Sequence, residues 1–98
     1  MLGARKEILI VNNVKKLNEI LKYMCLKGHA DLIDLIISKG ADNYNWAMVN
    51  AAKGGHMEIV QLMIAQGADD YNEAIIWAAK GGHMEIVDFL KTQMNQMT

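Results

Sequence analysis

The chain of 98 residues has no proline and a single cysteine. Proline interrupts helices, so its absence leaves every segment free to be helical, and the abundant Ala, Leu, Ile, Met, Lys, Glu and Gln favour helix. Because Cys25 has no second thiol to pair with, an internal disulfide is excluded. A lone cysteine is typical of a reducing compartment, so we expect a cytoplasmic, intracellular protein.

Strong charge of one sign and long apolar runs are missing as well. The formal net charge is −1, which predicts no bulk attraction to nucleic acid. The apolar run at residues 8–11 is far shorter than the roughly 18–20 residues of a membrane span, and it is too short for a signal-peptide core. We therefore expect neither nucleic acid nor membrane as a partner, and the length fits one domain.

A sequence unit of 27 residues recurs through the chain. Residues 40–66 and 67–93 are identical at 17 of 27 positions, and residues 13–39 form a fainter copy that keeps Gly28 and His29 in phase. Self-similarity with a period of about 20–50 residues is typical of a solenoid, in which each unit packs only against its neighbours. Such an array usually presents a surface rather than a catalytic pocket.

Each unit has the pattern of two helices. In the middle unit the stretch 44–53 lacks glycine and predicts a first helix, which Gly54 and Gly55 end. A second helix is expected over about 56–66, where Gly67 ends it. The pattern contains no strand signal, so the predicted fold is all-α, an α-solenoid of stacked antiparallel helix pairs.

The whole chain is predicted to be one repeat domain. We divide it into an N-terminal partial helix that acts as a cap, three repeats and a frayed tail, at residues 1–12, 13–39, 40–66, 67–93 and 94–98. The start resembles the middle of an array, which suggests a piece of a longer one.

An apolar stripe runs along each predicted second helix. In the middle repeat its members are Met57, Val60, Met63 and Ile64, with Ile59 at the edge. Met84 falls on the same stripe one period later. Packing in the core is therefore the expected use of these methionines.

The segment AAKGGHMEIVQLMIAQGAD, residues 51–69, resembles the ankyrin repeat. The family pattern has paired alanines, a Gly-His step before the second helix and a Gly-Ala-Asp turn after it. The matching positions are Ala51, Ala52, Gly55, His56, Glu58, Val60, Gly67, Ala68 and Asp69. The last repeat carries the same pattern in phase. The resemblance implies a module that binds other proteins, rarely catalyses and uses no cofactor.

The departure from that family is a shorter unit. Ankyrin repeats usually span about 33 residues and contain a β-turn between helix pairs, and their first helix starts with Thr-Pro-Leu-His. Here 27 residues leave no room for the projecting hairpin, and that start is missing. The unit is similar to hairpin-less arrays encoded by large DNA viruses, which would place it in an infected host cell. An engineered array is the alternative origin.

The residue types that carry chemistry have structural interpretations. His29, His56 and His83 recur one per repeat, and neighbouring repeats should separate them by about 8–10 Å. Two ligands of one zinc ion must lie within roughly 4 Å of each other, given Zn–N bonds of about 2.0–2.1 Å. We therefore expect each histidine to hydrogen-bond the adjacent turn. Cys25 aligns with an alanine in the other repeats, and we predict no catalytic, cofactor or metal site.

The positions that vary while the frame stays constant are the candidates for binding a partner. On the first helices, positions one turn apart carry different residues in each repeat, and the adjoining turn varies too. These residues are Glu19, Tyr23, Asn43, Trp46, Asn50, Asp70, Glu73 and Trp77. Exposed Trp and Tyr are favoured anchors in protein interfaces. Two interpretations stay open, namely contact with a partner and packing of each Trp over its own or a neighbouring repeat.

The predicted function is a protein–protein interaction scaffold. The alternative is a structural or self-assembling array that has no external partner and associates weakly through its ends. Residues 1–39 have seven basic and four acidic side chains, whereas residues 40–98 have three and seven, and this asymmetry would favour head-to-tail contact.

Overall fold

The computed structural model describes residues 11–96, and all its regular elements are helices. The α-helices are α1 Val14–Lys27, α2 Ile33–Ser38, α3 Tyr44–Gly54, α4 Met57–Gln66, α5 Tyr71–Lys80 and α6 Met84–Gln96, and a 3-10 turn at Ala30–Leu32 precedes α2. The all-α prediction is therefore confirmed. The partial helix predicted before residue 13 lies mostly outside the described residues, and Val11 packs against the core without being helical.

The helix ends follow from the local sequence. The side chains of Asn13 and Asn43 accept hydrogen bonds from the backbone N–H groups of Lys16 and Trp46, so they cap the starts of α1 and α3. After α3 the backbone turns at Gly55, whose φ of 82° lies in the left-handed region that favours glycine.

The first helices form the main contact layer between repeats. α3 packs against α1 on one side and α5 on the other, whereas the second helices of successive repeats approach one another much less. Ala51, Ala52 and Ala78 are buried in this layer. Small side chains allow close helix packing, so the first-helix side is the tighter side of the stack.

The core stripe of the second helices keeps Val60 and Met63 but is shifted from the predicted one towards Ile59. Ile59 is buried together with Val60 and Met63, whereas Met57 and Ile64 are only partly buried. Met84 is 56% exposed, so its assignment to the core was wrong. One residue corresponds to about 100° around a helix, so a rotation of less than one residue brings Ile59 into the core in place of Met57 and Ile64. Tertiary packing sets that rotation.

The predicted fraying of the tail is also wrong for residues 94–96, because α6 continues through Gln96. Gly40 and Gly67 follow the second helices of the first two repeats, but Met94 stands at the equivalent position here. Without a glycine to favour a left-handed turn, the helix continues, and Met94 packs against the core. Residues 97–98 lie outside the described part of the chain.

A polar contact repeats between each first helix and the turn of the following repeat. The Oδ1 atom of Asn18 accepts from the backbone N–H groups of Asp42 and Asn43, at 2.8 and 3.0 Å. One repeat later, Asn45 accepts from Asp69 and Asp70 at 2.7 and 2.9 Å. Each Asn also donates from Nδ2 to the Asp carboxylate of that turn. These bonds set the register between repeats.

A second repeated contact joins the glycine turns to the histidines. The Nε2 atom of His56 lies 3.0 Å from the carbonyl oxygen of Leu26 in the preceding repeat, as expected for a structural histidine. The rings of His56 and His83 also lie against Gly28 and Gly55, since a Cβ added at these glycines would come within 2.6 and 2.5 Å of the two Cε1 atoms. His29, in the first repeat, is exposed.

Cys25 is completely buried, and burial raises the pKa of its thiol to about 12. In the unfolded chain a thiol has a pKa of about 8.5, so the unfolded state loses its proton first as the pH rises. Burial of the protonated thiol therefore contributes its full stabilisation below about pH 8, and this contribution falls as the pH rises towards 12. At pH 10 the free energy of unfolding is lower by about 2 kcal/mol.

We expect urea unfolding at about pH 8 and pH 10 to show this loss, and Cys25→Ala to remove it. The native thiol should also stay unreactive towards a thiol-specific reagent until the chain unfolds, because the thiolate is the reactive form. Rapid labelling of the folded protein would contradict this.

Candidate functional site

An open groove of about 710 Å³ runs along the exposed side of the first helices. We call it the first-helix groove. Its lining residues come from α1, α3, α5 and the turns before the last two of these helices: Lys22, Asn43, Asn45, Trp46, Val49, Asn50, Lys53, Asp70, Glu73 and Trp77. The stacking of three first helices therefore builds a surface that no single repeat contains.

Trp46 lies near one end of the groove and is 38% exposed. Its backbone is held on both sides, because its N–H donates to Asn43 and its carbonyl accepts from Asn50 Nδ2 at 2.9 Å. The Nζ atom of Lys22, from the preceding repeat, lies 4.3 Å from the centre of the indole ring. A cation at this distance from a ring face is attracted to its π-electrons.

Trp77 lies one repeat further along the groove and is held through its side chain. Its Nε1–H donates to the carboxylate of Glu73 at 3.0 Å, one helical turn away. The Nζ atoms of Lys53 and Lys80 each lie 4.7 Å from the centre of its ring. Three partners thus define the position of this indole before any ligand arrives.

The structure brings most of the predicted site residues together. Six of the eight line the first-helix groove: Asn43, Trp46, Asn50, Asp70, Glu73 and Trp77. Glu19 and Tyr23 lie on α1 outside that lining, where Tyr23 is 52% exposed and the Nζ atom of Lys27 lies 5.9 Å from its ring centre. Each Trp also contacts residues of its own or a neighbouring repeat, so intramolecular contact and exposure coexist at both.

Sequence reasoning missed four lining residues, namely Lys22, Asn45, Val49 and Lys53. The same residue, Lys80, follows Lys53 one repeat later, so variation between repeats does not single out Lys53. Asn45 had a stronger signal, because Asn occupies the same position in all three repeats, at 18, 45 and 72. A polar residue that is identical in every repeat indicates a repeated hydrogen bond, which Asn18 and Asn45 both make.

The chemical resources of the groove are aromatic rings, ammonium groups, amides and two carboxylates. Within residues 11–96 no group of three or more His, Cys, Asp or Glu side chains is arranged to hold a metal ion. No helix in that part of the chain is long and apolar enough to cross a bilayer. This set of side chains suits recognition of another molecule through contact area, charge and hydrogen bonds.

The model of the family described as ankyrin repeats, in three copies, matches residues 21–98. The chain belongs to the ankyrin repeat family. No curated protein and no solved structure matches it significantly. Ankyrin repeats are generally scaffolds for protein interaction and are typically non-catalytic.

These ankyrin repeats differ from the longer form of the family in their connections. Residues 39–43 join α2 to α3 and residues 67–70 join α4 to α5, and neither connection contains a strand. In this ankyrin protein the short turns leave the first helices as the side of the stack that carries an open groove.

Proposed function

We propose that the chain is a protein-interaction scaffold whose partner docks in the first-helix groove. The observation that supports this is the position of both tryptophans of the chain along one open groove. Tryptophan is enriched among residues that dominate interface energies, because its large ring buries much area and its N–H gives direction. We further propose that binding occurs in the cytoplasm, where a lone thiol stays reduced.

The groove is also organised before binding, which favours affinity. The indole of Trp77 is restrained by its hydrogen bond to Glu73 and by Lys53 and Lys80. The indole of Trp46 is restrained by the ring contact with Lys22. Ordering a flexible side chain on binding costs about 0.5–1.5 kcal/mol, and restraint in the free protein lowers that cost. A partner therefore meets two aromatic surfaces that are already in place.

The test is a variant in which Trp46, Asn50, Glu73 and Trp77 are all replaced by alanine. First, a photoreactive amino acid in place of Val49 captures the native partner by crosslinking in the cells in which the protein occurs. Titration of the purified partner then measures its affinity for each variant of the chain. We expect affinity for the captured partner to fall more than about a hundredfold, since anchors of this kind each contribute about 2 kcal/mol or more.

The control variant carries Glu58→Ala and Gln61→Ala on the exposed side of α4 and should bind normally. Circular dichroism must show that both variants keep their helix content. A folded groove variant that binds its partner with unchanged affinity would refute the proposal.

A second candidate function is association of the stack through its C-terminal end. Ile76 is 46% exposed there, and a Cβ added at Gly82 would meet no described atom within 4 Å, although Gly28 and Gly55 are each covered by the next histidine. Sedimentation across protein concentration and salt tests this, because association through apolar and charged ends must depend on concentration. A strict monomer would remove this candidate.

A further inference from the structure

In each of the three repeats, lysine lies over one aromatic ring of the first helix. Lys27 lies over Tyr23, Lys22 over Trp46, and Lys53 and Lys80 over Trp77. Within residues 11–96 none of these four lysines forms a salt bridge in addition to its ring contact. The chain has a net charge of −1, yet the first helices carry these four cations beside their aromatic rings.

The ring contacts argue against a basic partner. A lysine or arginine of a ligand gains most from an aromatic groove by stacking on the ring faces. At Trp46 and Trp77 the chain's own ammonium groups already lie 4.3–4.7 Å from the ring centres. An incoming cation would have to displace them and would meet repulsion from like charge.

The carboxylates of the groove argue against a nucleic acid. Asp70 and Glu73 line the same groove, and Glu73 already accepts the indole N–H of Trp77. Nucleic acid presents a phosphate at every nucleotide, so a strand along the groove would place some phosphates near these carboxylates. A peptide, by contrast, can carry carboxylates only at the positions that meet lysines. Near Asp70 it can carry uncharged groups or hydrogen-bond donors.

We propose that the first-helix groove binds an acidic peptide segment of the partner, an inference that rests on the proposed function of the groove. Carboxylates of the segment contact Lys22 and Lys53, which are the two lysines that line the groove. An apolar side chain between them packs against Val49 and the exposed part of Trp46. The rings keep each ammonium group near its contact position, which reduces the entropy lost when an ion pair forms.

The two tryptophans provide the measurement, because the chain has no others and both line the groove. The probe is a short amidated peptide with two glutamates on either side of a leucine and uncharged residues elsewhere, titrated against the full chain while Trp emission is followed. Matched peptides carry glutamine or lysine in place of glutamate, and a single-stranded oligonucleotide is the fourth ligand. We expect saturable binding of the glutamate peptide alone, weaker at physiological salt than at low salt.

The variant Lys22→Gln/Lys53→Gln should weaken binding of the glutamate peptide about tenfold, as expected for two partly exposed ion pairs. The control is Lys91→Gln, which removes one positive charge from the exposed side of α6 and should leave binding unchanged. The proposal would be overturned if the glutamine peptide bound as tightly as the glutamate peptide, or if the lysine peptide or the oligonucleotide bound more tightly. It would also be overturned if Lys91→Gln weakened binding as much as the double variant. So would a lack of saturable binding by the glutamate peptide.

The test of the groove as docking site and the test of its preference for acidic peptides can be distinguished by their outcomes. If the captured partner depends on Trp46 and Trp77 but binds independently of Lys22, Lys53 and salt, the groove is the docking site and the acidic specificity is wrong. If the captured partner ignores the groove altogether, the proposed function fails whatever the model peptides do.

Discussion

Replacing Gly54 with alanine should lower the free energy of unfolding by about 3 kcal/mol and the melting temperature by about 15 °C. Gly54 is helical, so alanine there would ordinarily stabilise the chain by up to about 1 kcal/mol. Here the new Cβ would collide with the carbonyl oxygen of Leu26 in the preceding repeat and lie 2.8 Å from the ring of His56. The clash pushes apart two repeats that stability requires to be packed.

Two substitutions at the equivalent position serve as controls. At Gly81 the added Cβ would lie 2.7 Å from the ring of His83, much as at Gly54, but 3.1 Å from the carbonyl oxygen of Lys53. Because the backbone clash is weaker there, we expect Gly81→Ala to lower the free energy of unfolding by only about 1 kcal/mol. Lys27 already has a side chain at this position and is exposed, so Lys27→Ala should change stability by less than about 0.5 kcal/mol. Thermal unfolding of the three variants should rank them in this order. A neutral or stabilising Gly54→Ala would mean that no close approach exists.

We expect the second large effect from Asn45→Ala, which should lower the free energy of unfolding by about 2 kcal/mol. This change removes two hydrogen bonds to the backbone of Asp69 and Asp70 and one to the Asp69 carboxylate. Each typically contributes about 0.5–1.5 kcal/mol, and water can reach these exposed N–H groups, which limits the loss. Alanine is the better helix former, which offsets a few tenths of a kcal/mol.

Asn72 provides a control with the same residue at the same position of the last repeat. It is exposed, and within residues 11–96 no hydrogen bond to its side chain is present. We therefore expect Asn72→Ala to change the free energy of unfolding by less than about 0.5 kcal/mol in urea titrations. Equal losses at Asn45 and Asn72 would assign the effect to the helix itself and refute the contact between repeats.

Much of the groove could be predicted because variation within a constant frame points to the surface. Trp46 and Trp77 were found in this way, although they belong to different positions of the repeat and come together only when α3 and α5 stack. Lys22 could not be found, because its contact with Trp46 crosses from one repeat to the next. Contacts between repeats depend on the distance and rotation of helices, which periodicity alone does not specify.

The amino-acid sequence by itself determined the 27-residue period, the helix pairs and the ends at Gly55 and Gly67, because propensity, capping and left-handed turns are local effects. Only the tertiary structure decided why Gly54 is glycine and which residues of the second helices are buried. It also decided that the lysines of one repeat cover the aromatic ring of the next. Each of these depends on how closely neighbouring repeats approach, and that distance is set by packing along the whole stack.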